Sequence, residues 1–312
     1  MSNFAIIADA ASGMTKDLRE RFKIEDYIPG KITYPDGSDH ESDMDWSLMS
    51  PDEYYQSMIK DKAIYNTGVP SLEIVEEKIE KFFKQGRDVL LITLSSGMSG
   101  TYNTCLNAGR IAEEKYPGRK AAIVDSLRFS AHVILMNIKA SRMRDEGKSL
   151  EETAKWISEN NICFRQAGPM NDLKFLARKG RITGLKAFFG QLAGVNALGE
   201  FSRRGVTEVL VNIKGTQKAL KAAVEYISET IVDPEERTVL ISHSYRAEEA
   251  ETLKKLIREK IHPREIIMVR TDMQCGANIG PGMAAAYYYG KEVTEDLSWE
   301  KELFARIAES LK

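Results

Sequence analysis

Two rhythms of apolar positions alternate along the chain. Short, mainly apolar runs at residues 4–10 (FAIIADA), 88–94 (DVLLITL) and 121–126 (AAIVDS) have the length and composition of buried parallel strands. Between them apolar positions fall three and four apart, the period of an amphipathic helix. Such stretches begin near Thr15, run from Pro51 to about Asp61, and follow Ser71, where Leu72, Val75, Ile79, Phe82 and Phe83 form one stripe. Ser71 is placed to cap that helix. A further helix runs from the Ser/Gly stretch after residue 94 to about Lys115, and two more end near Asn160. Residues 31–43 (KITYPDGSDHESD) read as an extended segment and an acidic turn. Three strand–helix units in succession predict an α/β fold, with a parallel sheet flanked by helices.

The pattern restarts near Asn160. Residues 163–168, 206–213, 238–244 and 265–272 read as strands, with helices from Thr216 and Arg246. A short helix is expected over 170–180, ending at Gly180. A Gly-rich turn, 276–282, is expected to open another helix, and a last helix covers 299–312. The expected organisation is an N-terminal α/β domain over 1–160, a C-terminal α/β domain over 161–293 and an accessory helix over 294–312.

Composition narrows the function classes. The 312 residues suffice for two cores, and 43 % hydrophobic with 29 % charged residues is ordinary globular composition. A formal net charge of −2 lacks the basic excess of a nucleic-acid binder. Cys105, Cys163 and Cys275 lie far apart, which suits neither a disulfide framework nor a zinc site. With no leader and no apolar run of membrane-spanning length, a cytoplasmic protein is expected.

The familiar chemistries fit poorly. Gly147-Lys148-Ser149 resembles a phosphate-loop ending, but Arg142 stands where the loop needs Gly, so a helix end followed by a Ser cap is expected. Gly280-Pro281-Gly282-Met283-Ala284-Ala285 fits a loose dinucleotide fingerprint with no second half behind it. Ser99 falls one residue short of a hydrolase elbow, because Thr101 replaces the required Gly; His243 is its candidate base. Asp36, Asp39, Glu41, Asp43 and Asp45 lack the Gly and Glu of a calcium loop, and the four histidines show no ligand spacing. No metal and no cofactor are expected. What remains is the strand–loop–helix junction at residues 91–104 (LITLSSGMSGTYNT). Its backbone N–H groups and hydroxyls suit an anion, or Ser99 simply caps the helix.

Several ordered motifs resemble the DegV family over about residues 4–290. Ser95-Ser96-Gly97-Met98-Ser99-Gly100-Thr101-Tyr102 matches its Ser-Ser-x-Leu-Ser-Gly-Thr-Tyr run, with Met98 for Leu. Thr67-Gly68-Val69-Pro70-Ser71 is similar to its Thr-Ser-x-Pro-Ser turn, and Val124-Asp125-Ser126 to its third-strand ending. Asp172-Leu173-Lys174-Phe175-Leu176 through Lys179-Gly180-Arg181-Ile182 resembles its Asp-Leu-x-x-Leu…Gly-Arg-Ile segment, and Gly280-Pro281-Gly282 its closing turn.

The resemblance implies a two-domain fold that binds a long-chain fatty acid, with the carboxylate between the domains and the tail in the N-terminal domain. It implies a bacterial acyl-binding subunit that presents its ligand to a separate kinase, in phospholipid metabolism, without catalysis of its own. The implied carboxylate-binding residues are Thr67, Gly68, Ser96, Gly97 and Asn278. Arg181 and Arg178 are implied to face the phosphotransfer or a partner, within a basic stretch that also holds Lys174, Lys179 and Lys186. Transient contact with a membrane surface is compatible with this role. Beyond Met98 and Gly68 the chain departs from the family elsewhere, with Lys214-Gly215-Thr216 standing for its basic Arg-Thr motif. Ala10 and Ala11 replace Ser-Thr after Asp9, and Asn278 replaces a His. Two other functions stay open: a hydrolase or acyl-phosphate-processing enzyme using Ser96 or Ser99, and a non-catalytic lipid sensor.

Overall fold

The computed structural model describes residues 4–171, 175, 179–180, 182–183 and 194–311. The chain divides into two compact units. One comprises Met1–Ser50, Ala63–Asn161 and Asp272–Ala277; the other comprises Pro51–Lys62, Ile162–Thr271 and Asn278–Lys312. A single boundary near Asn160 therefore does not separate them, because two short segments group with the unit distant in sequence.

The apolar runs of the first unit form parallel strands β1 (Ala5–Asp9), β6 (Val89–Thr93) and β7 (Ala121–Asp125). With β2 (Asp26–Ile28) they form a sheet in the order β2-β1-β6-β7. On one face, Ala5, Ile7, Val89 and Leu91 pack against Val75, Ile79, Phe82 and Phe83 of helix Leu72–Phe83 and against Cys105, Ala108 and Ala112 of helix Thr101–Lys115. Truncating one of these side chains, Ile79→Ala for instance, costs about 2–5 kcal/mol. Ser71 caps the first helix as expected, accepting from Ile74 N at 3.2 Å. Helix Ala131–Asp145 also packs against β1 and β6, and it is buried nearly all round, which explains its lack of a polar face. The Gly147–Ser149 stretch ends that helix and caps the next, Leu150–Asn160, with reciprocal Ser149 and Glu152 bonds. A small antiparallel sheet, β4-β3-β5, joins β3 (Lys31–Thr33), β4 (Asp39–Glu41) and β5 (Asn66–Gly68).

The second unit carries β8 (Phe164–Ala167), β9 (Ile182–Thr183), β10 (Val195–Phe201), β11 (Thr207–Lys214), β12 (Thr238–His243), β13 (Glu265–Arg270) and β14 (Ala284–Tyr289). These form two mixed sheets, β13-β12-β14-β8 and β10-β11-β9. Two expectations are corrected here. The Gly-rich turn 276–282 opens no helix. It closes the helix Met273–Ile279 and leads into β14. Gly280, at φ +74°, takes the left-handed exit, and pairing with β12 and β8 overrides the helix preference of the alanines. The closing helix, Ser298–Ser310, is no accessory. Leu303, Phe304 and Ile307 lie in this unit's core, with Phe304 stacked on Tyr226 at 4.0 Å between ring centroids. The helix expected over 170–180 lies mostly outside the described residues.

Candidate functional site

In the parallel sheet, β1 has β2 on one side and β6 on the other. Loops leaving the C-terminal ends of β1 and β6 therefore diverge, the arrangement that opens a crevice in α/β sheets. Asp9 closes β1 and ties these loops together. Its Oδ1 accepts from Ala11 N at 2.9 Å and its Oδ2 from Leu94 N at 2.8 Å. Burial pushes its pKa above the usual carboxylate value, against the two N–H bonds that pull it down.

The Ser/Gly loop after β6 is organised from within. Ser95 O accepts from both Met98 N and Ser99 N at 3.1 Å, and Ser95 Oγ accepts from Gly97 N at 3.1 Å. Asp125, at the end of β7, accepts from Ser96 N at 3.1 Å and Leu127 N at 3.0 Å through Oδ1. Ser99 Oγ accepts from Thr101 N at 3.3 Å and shares a bond with Thr101 Oγ1 at 2.9 Å. These bonds correct the expectation of free backbone donors, since the N–H groups of Ser96 through Ser99 and of Thr101 are already used. They also move the helix cap from Ser99 to Gly100, which has no side chain to offer. The group this loop presents is the hydroxyl of exposed Ser96, which makes no hydrogen bond among the described residues.

Thr67 and Gly68 are half-buried in β5, paired with Ile32 and Lys31 of β3. A Cβ at Gly100 would sit 3.5 Å from Val69 Cγ1, so the 67–71 turn and the Ser96–Gly97 loop are neighbours. The first unit thus brings Thr67, Gly68, Ser96 and Gly97 into one locality. Asn278 is half-buried near the end of helix Met273–Ile279 and groups with the second unit. Arg178, Arg181, Lys174 and Lys186 lie outside the described residues.

Sequence reasoning missed the head of that helix. Asp272 caps it, its Oδ1 accepting from Cys275 N at 2.8 Å, while its buried Oδ2 has no partner among the described residues. Burial raises its pKa to about 6, and nearby Asp9 adds repulsion. Cys275 Sγ donates to Ala11 O at 3.2 Å. The available signal was an Asp three residues before Cys275, a capping spacing, but such spacing carries no information about burial.

His243, the candidate base of the hydrolase reading, is engaged within its own unit. His243 Nδ1 accepts from Arg246 N at 3.1 Å, and burial with nearby Arg270 lowers its pKa to about 4. Neither Ser96 nor Ser99 bonds a histidine among the described residues. No group of three or more His, Cys, Asp or Glu side chains among those residues is placed to hold a metal ion, and no described helix is long and apolar enough to cross a membrane.

Comparisons with known proteins agree with the family resemblance. A DegV domain-containing protein of Clostridium perfringens is 30 % identical over 290 residues, spanning 93 % of this chain and 98 % of its own. Among solved structures, a fatty-acid-binding DegV family protein of Thermus thermophilus superposes with a TM-score of 0.81 at 22 % identity, covering 93 % of this chain and 100 % of that one. A stearic-acid-binding protein of Eubacterium ventriosum gives 0.80 at 22 %, covering 92 % and 98 %. At that identity the structural likeness establishes the shared two-domain fold. A family profile described as "Uncharacterised protein, DegV family" matches residues 3–291, and with the Ser/Gly loop and the Thr67 turn side by side in that fold, this chain belongs to the DegV family.

Proposed function

We propose that the protein binds one long-chain fatty acid and presents its carboxylate to a separate kinase in the cytoplasm. Thr67, Ser96 and Asn278 hold the carboxylate between the two domains, Gly68 and Gly97 let the ligand approach the backbone, and the tail lies in the N-terminal domain. Arg181 and Arg178 face the phosphotransfer or the partner. The observation that carries this reading is the Ser96 hydroxyl, without a hydrogen-bond partner among the described residues, in a loop where the N–H groups of Ser96 through Ser99 are used, beside the Thr67 turn. The fatty-acid binding named for related structures supports the ligand class.

The energetics suit a lipid. A hydrogen bond to a charged group contributes about 1.5–3 kcal/mol. Each buried methylene contributes roughly 0.8 kcal/mol before ordering costs. Affinity therefore comes mainly from the tail, and the hydroxyls select the head group. Three buried cysteines without disulfides fit a reducing compartment. The test is extraction and mass spectrometry of the acid that copurifies, with titration of oleate and palmitate. One acyl chain per protein is expected; no copurifying acid and no binding of either would overturn the reading.

A further inference from the structure

We propose that Gln274 is a positioning residue for the Thr67–Gly68 strand, acting through Gly30 and the Lys31 carbonyl. The inference deepens the acyl-binding reading of Thr67 and rests on it. β5 is three residues long and lies at the edge of its sheet, so its placement depends on β3. Lys31 pairs with Gly68 and Ile32 with Thr67. β3 in turn meets the side chain of Gln274. The amide Nε2 donates to Lys31 O at 3.3 Å, and a Cβ at Gly30 would overlap the amide group. Gly30 is therefore the residue that lets this amide lie against the backbone. The Gly30 backbone is held independently by Ser42, with Gly30 N donating to Ser42 Oγ at 2.9 Å and Ser42 N donating to Gly30 O at 2.7 Å.

Gln274 is 8 % exposed and sits on a short helix that is itself anchored. Asp272 caps the helix through Cys275 N, and the Cys275 thiol bonds Ala11 O. The line of support runs from this anchored helix through the Gln274 amide to β3, and from β3 to the strand that carries Thr67. A hydroxyl that must meet a carboxylate needs its strand fixed to a fraction of an ångström.

Gly30→Ala tests the contact without removing any ligand group. Its new methyl meets the far end of a flexible side chain, so Gln274 swings aside and the fold persists. Gly30→Ala, Gln274→Ala and the double variant are compared in two measurements. In amide hydrogen exchange, residues 31–33 and 66–68 are expected to exchange about three- to tenfold faster in either single variant. In ligand titration, oleate affinity is expected to fall about three- to tenfold and oleyl alcohol affinity by less than about twofold, since only the acid has a charge to orient. The double variant is expected to match a single one, because both act on one contact. Unchanged exchange in the single variants, equal losses for acid and alcohol, or additive losses in the double variant each overturn the inference. Failure of the native protein to bind oleate overturns the acyl reading instead, while exchange still decides whether Gln274 positions the strand.

Discussion

Arg165 in the second unit and Asp272 in the first are both buried ionisable groups, and their surroundings differ in kind. The Arg165 guanidinium bonds Glu200 Oε2 and Glu300 Oε1 at 3.0 Å, Tyr226 OH at 2.6 Å and Lys291 O at 3.1 Å. Glu200 also accepts from Phe201 N at 2.9 Å, and Glu300 from Thr294 N at 3.0 Å. The cluster joins β8, β10 and the closing helix, and its neighbouring carboxylates and phenols keep Arg165 charged despite burial. Asp272 has one oxygen bonded and one with no hydrogen-bond partner among the described residues, close to a second buried carboxyl. A fully bonded buried network holds a fold together; a half-bonded one stores unfavourable energy and is found where a protein does something else. The under-satisfied group lies in the unit that also holds Thr67 and Ser96.

The comparison is broken most forcefully at Arg165. Arg165→Met leaves two buried carboxylates without their cation, and a loss of about 3–5 kcal/mol is expected in denaturant unfolding. A loss below about 1 kcal/mol would show that the network contributes little. At Asp272 the sign reverses. A rise in pKa from 3.8 to about 6 means that the folded protein holds the proton more tightly than the unfolded chain. Stability from this group is therefore highest below pH 3.8, falls as pH rises through 6, and is flat above. At about 1.4 kcal/mol per pH unit, Asp272→Asn stabilises the protein by up to about 3 kcal/mol at pH 7, because the amide keeps the cap and carries no charge. The advantage disappears toward pH 4; a pH-independent difference between the two melting curves would contradict the argument.

The hydroxyls give a smaller effect, read in binding rather than folding. Ser96→Ala and Thr67→Ala each weaken oleate binding by about 1.5–3 kcal/mol with little change in melting temperature. Unchanged affinity in both, and in the double variant, removes them from the site. The smallest effect on affinity is expected at Asn278. Asn278→His leaves oleate binding within about threefold, since either side chain donates one hydrogen bond. It raises phosphorylation by a fatty-acid kinase catalytic subunit, because only His can become a cation as charge builds on the acceptor. Equal phosphorylation rates for the native and Asn278→His proteins would make that position structural.

Much of the first unit was legible in sequence. Strands β1, β6 and β7 are apolar runs too short for helices, and the stripe after Ser71 has one period and one cap. The Ser/Gly junction was visible as a candidate site because residue type and position coincide there. Its donors were misjudged, since Asp125, at the end of a strand that sequence spacing does not connect to this loop, accepts from Ser96 N, and Ser95 turns back within the same loop to accept from Gly97 N.

Local sequence by itself determined the elements whose pattern answers to a single neighbour: the parallel strands, the capped helices, and the Gly147–Ser149 stop and restart. Tertiary structure decided the rest. Residues 284–289, three alanines and three tyrosines, become a strand because β12 and β8 flank them on both sides. The closing helix joins the core because Phe304 meets Tyr226, and Glu300 meets Arg165, from 78 and 135 residues earlier in the chain. Asp272 has an elevated pKa because folding removes its water and brings Asp9 near. Each of these outcomes depends on burial and on partners distant in sequence, and those energies exist only once the chain has closed on itself.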